Sequence, residues 1–294
     1  MTRVAKPSVI GVLGLGAMGA GVAGDLKASG FEVVSTAAGR SGRSRQRGIE
    51  AGITLVDSLE AVVTAADTFL SIVPADQAEP LATAVAHVLA GEAGRGKALH
   101  YVDCNSITPA KSARIALAVT KAGAIYSDGG IIGPPPGGKV RTRLYVSGPE
   151  ASVLAALASE RMPVIGLGDG LTQATEMKVL FSAANKGTAA LLANIMAAAA
   201  KVGLLDRVMG ELDSVRPGLL TALRASAADL DDKAARWAVE MDDLAQGLAD
   251  LDAHPGYHQA AGDGYRRLAA NLPDTTGDDA LARVLAAWMG PKRG

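Results

Sequence analysis

The sequence predicts an α/β protein in two parts, a doubly wound parallel sheet followed by an all-helical domain, joined by one long helix. Three observations predict it. Short, nearly continuous apolar runs alternate with helical stretches up to about residue 170, the pattern of a parallel sheet covered on both faces. The first run leads directly into a glycine-rich turn. Strand signals stop after Gly170, and the remainder of the chain reads as helix.

In chain order, the first strand is 9–13, carrying Val9, Ile10, Val12 and Leu13, and a helix spans 18–29. The second strand is 32–36, built around Val33 and Val34. Helices at 58–66, 77–89 and 109–122 then alternate with strands at 68–73, 98–103 and 124–128. Further strands are expected at 142–147 and 163–166. Strand–helix–strand crossovers are right-handed in nearly all proteins, which imposes the doubly wound layout. Residues 172–202 read as one Ala-rich helix without proline and with one interior glycine, Gly187. Asp169 or Thr172 would cap its start and Gly203 would end it. In 233–251, Trp237, Met241, Leu244, Leu248 and Leu251 share one helical stripe. The chain therefore divides into a sheet domain, 1–170, and a helical domain, 171–294.

Composition narrows the function. The 294 residues carry a formal net charge of −1, without the basic footprint of a nucleic-acid binder. At 3%, aromatic residues are too few for base-stacking platforms. The one cysteine, Cys104, excludes an internal disulfide and a disulfide-stapled secreted scaffold. No metal is expected: His254 and His258 are four apart, but Pro255 and Gly256 break any helix between them. Arg3 and Lys6 precede an uncharged run, 7–24, as in a signal peptide, yet its six glycines suit an export segment poorly. A second uncharged stretch, 187–200, is too short to span a bilayer. A cytoplasmic protein without membrane or nucleic-acid partners is expected.

The strongest motif is Gly14-Leu15-Gly16-Ala17-Met18-Gly19. A bare G-x-G-x-x-G also serves as a packing turn, but this one follows a strand and opens a helix, the context of a Rossmann-type dinucleotide site. The first glycine permits the tight turn, the second lets backbone approach a pyrophosphate, and the third lets helix and strand pack closely. The helix N-terminus adds free N–H groups and a positive dipole.

An NAD site usually carries an acid at the end of the second strand, for the ribose 2′-hydroxyl. Here strand 32–36 runs into Ala37-Ala38-Gly39-Arg40-Ser41-Gly42-Arg43-Ser44-Arg45, with no carboxylate. Arginine suits a phosphate bidentately and serine adds a donor. NADP is therefore expected rather than NAD, on Arg40, Ser41 and Arg43. The competing reading is a solvated basic loop.

The glycine motif resembles the opening of the β-hydroxyacid dehydrogenases, relatives of 6-phosphogluconate dehydrogenase. Asp103-Cys104-Asn105-Ser106-Ile107-Thr108-Pro109 resembles that family's D-x-S-[ST]-x-x-P segment. Asp128-Gly129-Gly130-Ile131-Ile132-Gly133-Pro134 stands where the family carries D-A-P-V-S-G-G. Gly168 and Gly170 precede Lys178 as family glycines precede a catalytic lysine. These landmarks follow in order over the first 200 residues. The chain departs from the family where substrate-binding Ser-Gly-Gly becomes Ile132-Gly133-Pro134, followed by Pro135 and Pro136, and where an asparagine four residues after the lysine becomes Ser182. It looks like a divergent branch with a phosphogluconate-dehydrogenase-like helical domain. The resemblance implies hydride transfer between a nicotinamide and a small hydroxy acid or related hydroxy compound, and a homodimer formed through the helices.

Lys178, Ser182 and Asn185 are spaced i, i+4, i+7 and share one helical face. Their neighbours Val179, Leu180, Phe181, Ala183 and Ala184 are apolar, which is expected to desolvate the lysine. On surroundings alone Lys178 reads as a snorkelling surface lysine. The resemblance makes it the general acid/base, with Ser182 and Asn185 holding the substrate's polar groups and Gly133 at the substrate position. Lys186 is its rival. Asn105 and Ser106 follow a strand end, where ligands of open α/β sheets collect, and would contact nicotinamide and substrate respectively. A helix cap before Pro109 explains them as well. Val73 and Pro74 end another strand, and the resemblance places them at the nicotinamide ribose. Arg236, Trp237 and Glu240 fit an active site or core packing with an i,i+4 ion pair. The alternatives to a hydroxyacid dehydrogenase are an imine reductase, disfavoured by Lys178 and favoured by the prolines, and a non-catalytic NADP-binding protein.

Overall fold

A computed structural model describes residues 9–272 and 279–290, so Arg3 and Lys6 lie outside the described residues. Its first part runs β1 (Val9–Leu13), α1 (Ala17–Ala28), β2 (Glu32–Thr36), α2 (Gly42–Glu50), β3 (Thr54–Val56), α3 (Leu59–Ala65), β4 (Thr68–Ser71), α4 (Ala78–Ala90), β5 (His100–Asp103), α5 (Pro109–Lys121), β6 (Ile125–Ile132), β7 (Arg143–Ser147), a 3-10 helix (Ala151–Leu157) and β8 (Val164–Gly166). The sheet order is β3-β2-β1-β4-β5-β6-β7-β8. The first six strands are parallel, the expected doubly wound arrangement.

Four features differ from expectation, the first being β3 itself, which the sequence pattern does not announce. β7 runs antiparallel to β6, because the loop 133–142 is too short for a crossover. Accordingly β6 continues four residues beyond Asp128 instead of stopping there. Residues 42–50, expected as loop, form α2, whose N-cap Ser41 accepts from the Ser44 N–H.

Alternation along the strands fills both faces. Leu13, Phe69, Tyr101 and Tyr126 pack beneath helices α3 to α5. Phe69 stacks on Tyr101 at 5.5 Å between ring centres, and Tyr101 on Tyr126 at 6.4 Å. Ile10, Val12, Val33, Leu70 and Val102 face the other way, onto Val22, Ala23 and Leu26 of α1 and onto Leu154 and Leu157. The chain reverses its direction of travel across the sheet between β1 and β4, which places a crevice at their C-terminal ends.

The chain divides into two compact units, Met1–Lys178 and Val179–Gly294. The long helix α6 (Gln173–Lys201) runs through the division, within one residue of the expected 172–202. Thr172 stands at its start, the carbonyl accepting from Glu176 N–H and the hydroxyl bonding the Glu176 carboxylate at 2.6 Å. Gly203, with φ of 72°, ends it, and Leu204 N–H closes back onto the Ala199 carbonyl. The second unit continues with α7 (Leu205–Val215), α8 (Leu219–Ala249), α9 (Gly256–Asn271) and α10 (Ala280–Met289). Its core holds Met196, Trp237, Met241, Leu244, Tyr265 and Trp288, with Tyr265 edge-on to both tryptophans. Leu251, expected on that stripe, falls just past the end of α8 and is half-buried.

Candidate functional site

The parallel pairing ends in a level row: Leu13, Ser71, Asp103 and Asp128 are neighbours in register on β1, β4, β5 and β6. At the β1 end, Gly14 takes φ of 106°, and a Cβ there would stand 2.0 Å from the Ile72 carbonyl oxygen. A Cβ on Gly19 would stand 1.8 Å from the Gly14 carbonyl oxygen. Above Gly16, by contrast, nothing lies within 4 Å, and Gly16 caps α1 without any side-chain hydrogen bond. Two glycines are thus required by packing and the middle one leaves open space over an uncapped helix N-terminus. That is a fitting cradle for a dinucleotide's phosphates. Leu15 is buried beneath the turn, while Ala17 is exposed and Met18 half-buried on the first turn of α1.

At the β2 end no carboxylate appears among residues 37–45. Arg40 and Arg43 are exposed on either side of Ser41, whose side chain is occupied as the α2 cap.

At the ends of β4 and β5, Asn105 is 1% exposed and its amide is spent internally. Its Oδ1 accepts from Val73 N–H at 2.6 Å, and its Nδ2 donates to Ser71 Oγ at 2.8 Å and to Asp103 Oδ2 at 3.1 Å. The side chain holds two loops together, so any part Asn105 has in cofactor binding acts through the backbone it fixes. The cap of α5 is Thr108, not Ser106, and Ser106 is exposed at the sheet edge. Val73 is buried and Pro74 exposed beside it.

At the β6 end stands the start of α6. A Cβ on Gly130 would lie 2.5 Å from the Ala174 carbonyl oxygen and 3.5 Å from the Lys178 Cβ, so helix and strand touch there. Burial raises the Asp103 carboxyl to about 7, the bonds from Asn105 and the charge of Lys178 opposing and Asp128 adding to it. Burial likewise raises Asp128 to about 6 against its hydrogen bonds from Thr175 and Ser112. Lys178 is half-buried, and its charge is felt at Asp103 and Cys104, at the end of β5. Of its apolar neighbours Val179 and Ala183 are buried, but Leu180 and Phe181 are exposed, because a helix shows only one side to its support.

A family model described as the NAD binding domain of 6-phosphogluconate dehydrogenase matches residues 9–159, the whole of this glycine turn and sheet edge. The chain belongs to that family. By that membership it is an NAD(P)-dependent oxidoreductase. A second model, a domain of unknown function, matches residues 199–268. Among curated proteins none matches. Solved structures share the fold. A conserved hypothetical protein from Sinorhizobium meliloti is 21% identical with a TM-score of 0.74, over 95% of this chain and 96% of that one. The 3-hydroxyisobutyrate dehydrogenase of Mycobacterium tuberculosis, solved with L-serine, is 18% identical with a TM-score of 0.73, over 94% and 98%. An imine reductase from Myxococcus stipitatus, in complex with NAD+, is 19% identical with a TM-score of 0.57, over 96% and 100%.

The 14–19 turn, Val73, Pro74, Asn105 and Ser106 of this 6-phosphogluconate dehydrogenase-type domain gather along one sheet edge, and Lys178, beyond the matched residues, stands against β6 at Gly130. Gly133 sits farther out, where β6 turns back: its φ is 114° and its near neighbours are Arg141 and Thr142. Pro135 and Pro136 pack on Gly21 of α1. Ser182 and Asn185 follow Lys178 along α6, half-buried and exposed respectively. Lys186 is held elsewhere: its ammonium pairs with Glu240 and stands 5.5 Å from the Trp237 ring centre. Glu240 also takes Arg236 at 3.2 Å, and Trp237 is buried, the packing reading of that trio. Sequence reasoning missed Gly130 and Asp128 as supports of the lysine helix. The signal was present, since a glycine doublet inside a strand marks close approach of another backbone.

Proposed function

We infer that this chain is an NADP-dependent oxidoreductase that moves hydride between the nicotinamide and a small hydroxy acid or related hydroxy compound, with Lys178 as general acid/base. The observation that carries this reading is the place of Lys178, on the same sheet edge as the glycine turn and against β6 at Gly130. When bound, the nicotinamide supplies the hydride acceptor or donor. Lys178 takes the hydroxyl proton during oxidation and returns it during reduction. Ser106 and Gly133, in the same unit as Lys178, would bind the substrate's polar groups. The enzyme would work in the cytoplasm; among the described residues no helix is long and apolar enough to cross a membrane.

NADP is preferred over NAD because no acid follows β2 and Arg40 and Arg43 flank the α2 cap. Arg40→Ala is expected to weaken NADP binding about 10- to 100-fold, the size of one charge-assisted phosphate contact, and to leave NAD binding unchanged. Fluorescence titration of both cofactors checks this. Equal or tighter NAD binding by the unmodified chain would sink the NADP assignment.

A homodimer is expected. Leu180, Leu191, Ile195 and Val202 form an exposed apolar stripe along α6, and a pocket of about 660 Å³ lined by Leu191, Tyr257 and Trp288 opens beside it. Sedimentation at micromolar concentration should give twice the chain mass; a monomer would refute it.

The imine-reductase reading keeps one supporting observation: Pro134, Pro135 and Pro136 offer no backbone N–H to a substrate carboxylate after β6. Turnover of hydroxy acids, amino alcohols and cyclic imines with NADP(H) and NAD(H) separates the two. Turnover of none of them favours a non-catalytic NADP-binding protein.

A further inference from the structure

Lys178 is useful only if α6 begins at one height over the sheet edge, because one residue of slip turns its side chain by about 100°. Asp128 is 0% exposed and lies on β6 directly beneath that beginning. Both of its oxygens are committed to one residue of the first helical turn: Thr175 N–H donates to Oδ2 at 2.6 Å and Thr175 Oγ1 to Oδ1 at 2.6 Å. Ser112 Oγ, from α5, donates to Oδ1 at 3.2 Å and itself bonds the Tyr126 hydroxyl at 2.8 Å. One residue earlier in the helix, Ala174 N–H donates to Ser147 Oγ on β7 at 3.1 Å. The first turn of α6 is thus bolted to two strands by side chains, and Gly130 lets it lie flush between them. A carboxylate also suits the positive end of the helix dipole. Thr175 and Lys178 are three apart, so they stand on one side of the helix.

We propose that Asp128 is a positioning residue: through Thr175 it sets the height and rotation of α6, and so the place of the Lys178 amine at the sheet edge. The functional meaning rests on the acid/base reading of Lys178; the placement itself does not.

The test uses the full chain. Its lysines are reductively methylated with ¹³C-formaldehyde, and the Lys178 methyl signal is assigned as the one missing in Lys178→Arg. In Asp128→Ala the signal is expected to move, and in Asp128→Asn, which keeps the shape and one acceptor, to return most of the way. Should Asp128→Ala fail to fold, Thr175→Val, β-branched like the original, is compared with Thr175→Ser, which restores the hydroxyl. A signal unmoved in Asp128→Ala, or in Thr175→Val where that variant stands in, overturns the proposal. With a hydroxy acid or amino alcohol (and NADP+) or a cyclic imine (and NADPH) that the enzyme turns over, kcat is expected to fall tenfold or more in Thr175→Val and to recover in Thr175→Ser, the KM for the dinucleotide staying within twofold. An unchanged kcat also overturns it. If none of these compounds turns over, the acid/base reading falls and the methyl signal still decides the positioning.

Discussion

Lys178→Met is expected to cut turnover by roughly 10²–10⁴-fold, the usual contribution of a positioned acid/base. Met keeps the length and the helix propensity of lysine and removes only the charge, so α6 should stay intact. Binding of the dinucleotide should barely change, since the proposed phosphate cradle is the separate turn at residues 14–19, after β1. The rate of oxidation should rise with pH, because the amine must lose its proton before it can accept one. Lys186→Met is the paired measurement. It removes the pairing with Glu240 and the contact with Trp237, and should lower stability by about 1 kcal/mol while sparing turnover. Loss of turnover in Lys186→Met alone would transfer the role to that residue. Full activity in both would remove lysine from the mechanism and leave the imine-reductase reading.

Gly14→Ala and Gly16→Ala are both expected to lose dinucleotide binding, but only the first to lose stability. At Gly14 the new methyl meets the Ile72 carbonyl at 2.0 Å and the backbone φ is 106°, so the loop must move. A left-handed backbone with a Cβ costs about 1–2 kcal/mol, and overpacking about 1–3 more. Thermal unfolding should therefore shift clearly downward, and dinucleotide binding with it. At Gly16 the methyl enters open space, so stability should change by no more than about 1 kcal/mol, the scale of an N-cap substitution. Dinucleotide affinity should nonetheless fall tenfold or more, because the methyl occupies the approach to the helix N-terminus. Gly16→Ala binding NADPH as tightly as the unmodified chain would mean that phosphates do not lie on this turn. Calorimetric titration and a melting curve on each variant give both readouts.

Local order was legible in the residues themselves. β1 and β2 fall on their expected bounds because each is a short apolar run closed by a turn. α6 starts and stops within one residue of expectation because Thr172 and Gly203 are local punctuation. The tight packing at Gly14 and Gly19 and the open space at Gly16 are local too, since strand, turn and helix are consecutive. α2 escaped notice because Gly42-Arg43-Ser44-Arg45-Gln46 carries no apolar stripe, and its helix is announced only by the Ser41 cap. β3, three residues long at the sheet edge, has too little pattern to be read.

By itself, then, the sequence determined the succession of strands and helices, the glycine turn after β1 and the candidate lysine. Tertiary structure alone decided what surrounds them. It showed that Asn105 is consumed in bonding residues up to 34 positions away, that Lys186 is claimed by Glu240 54 positions on, and that Asp128 holds a helix residue 47 positions later. The physical reason is that periodicity and capping encode which face a residue takes within its own element. A hydrogen bond between elements depends on strand order and on the height at which a helix lands, and these emerge only when the whole sheet edge is assembled.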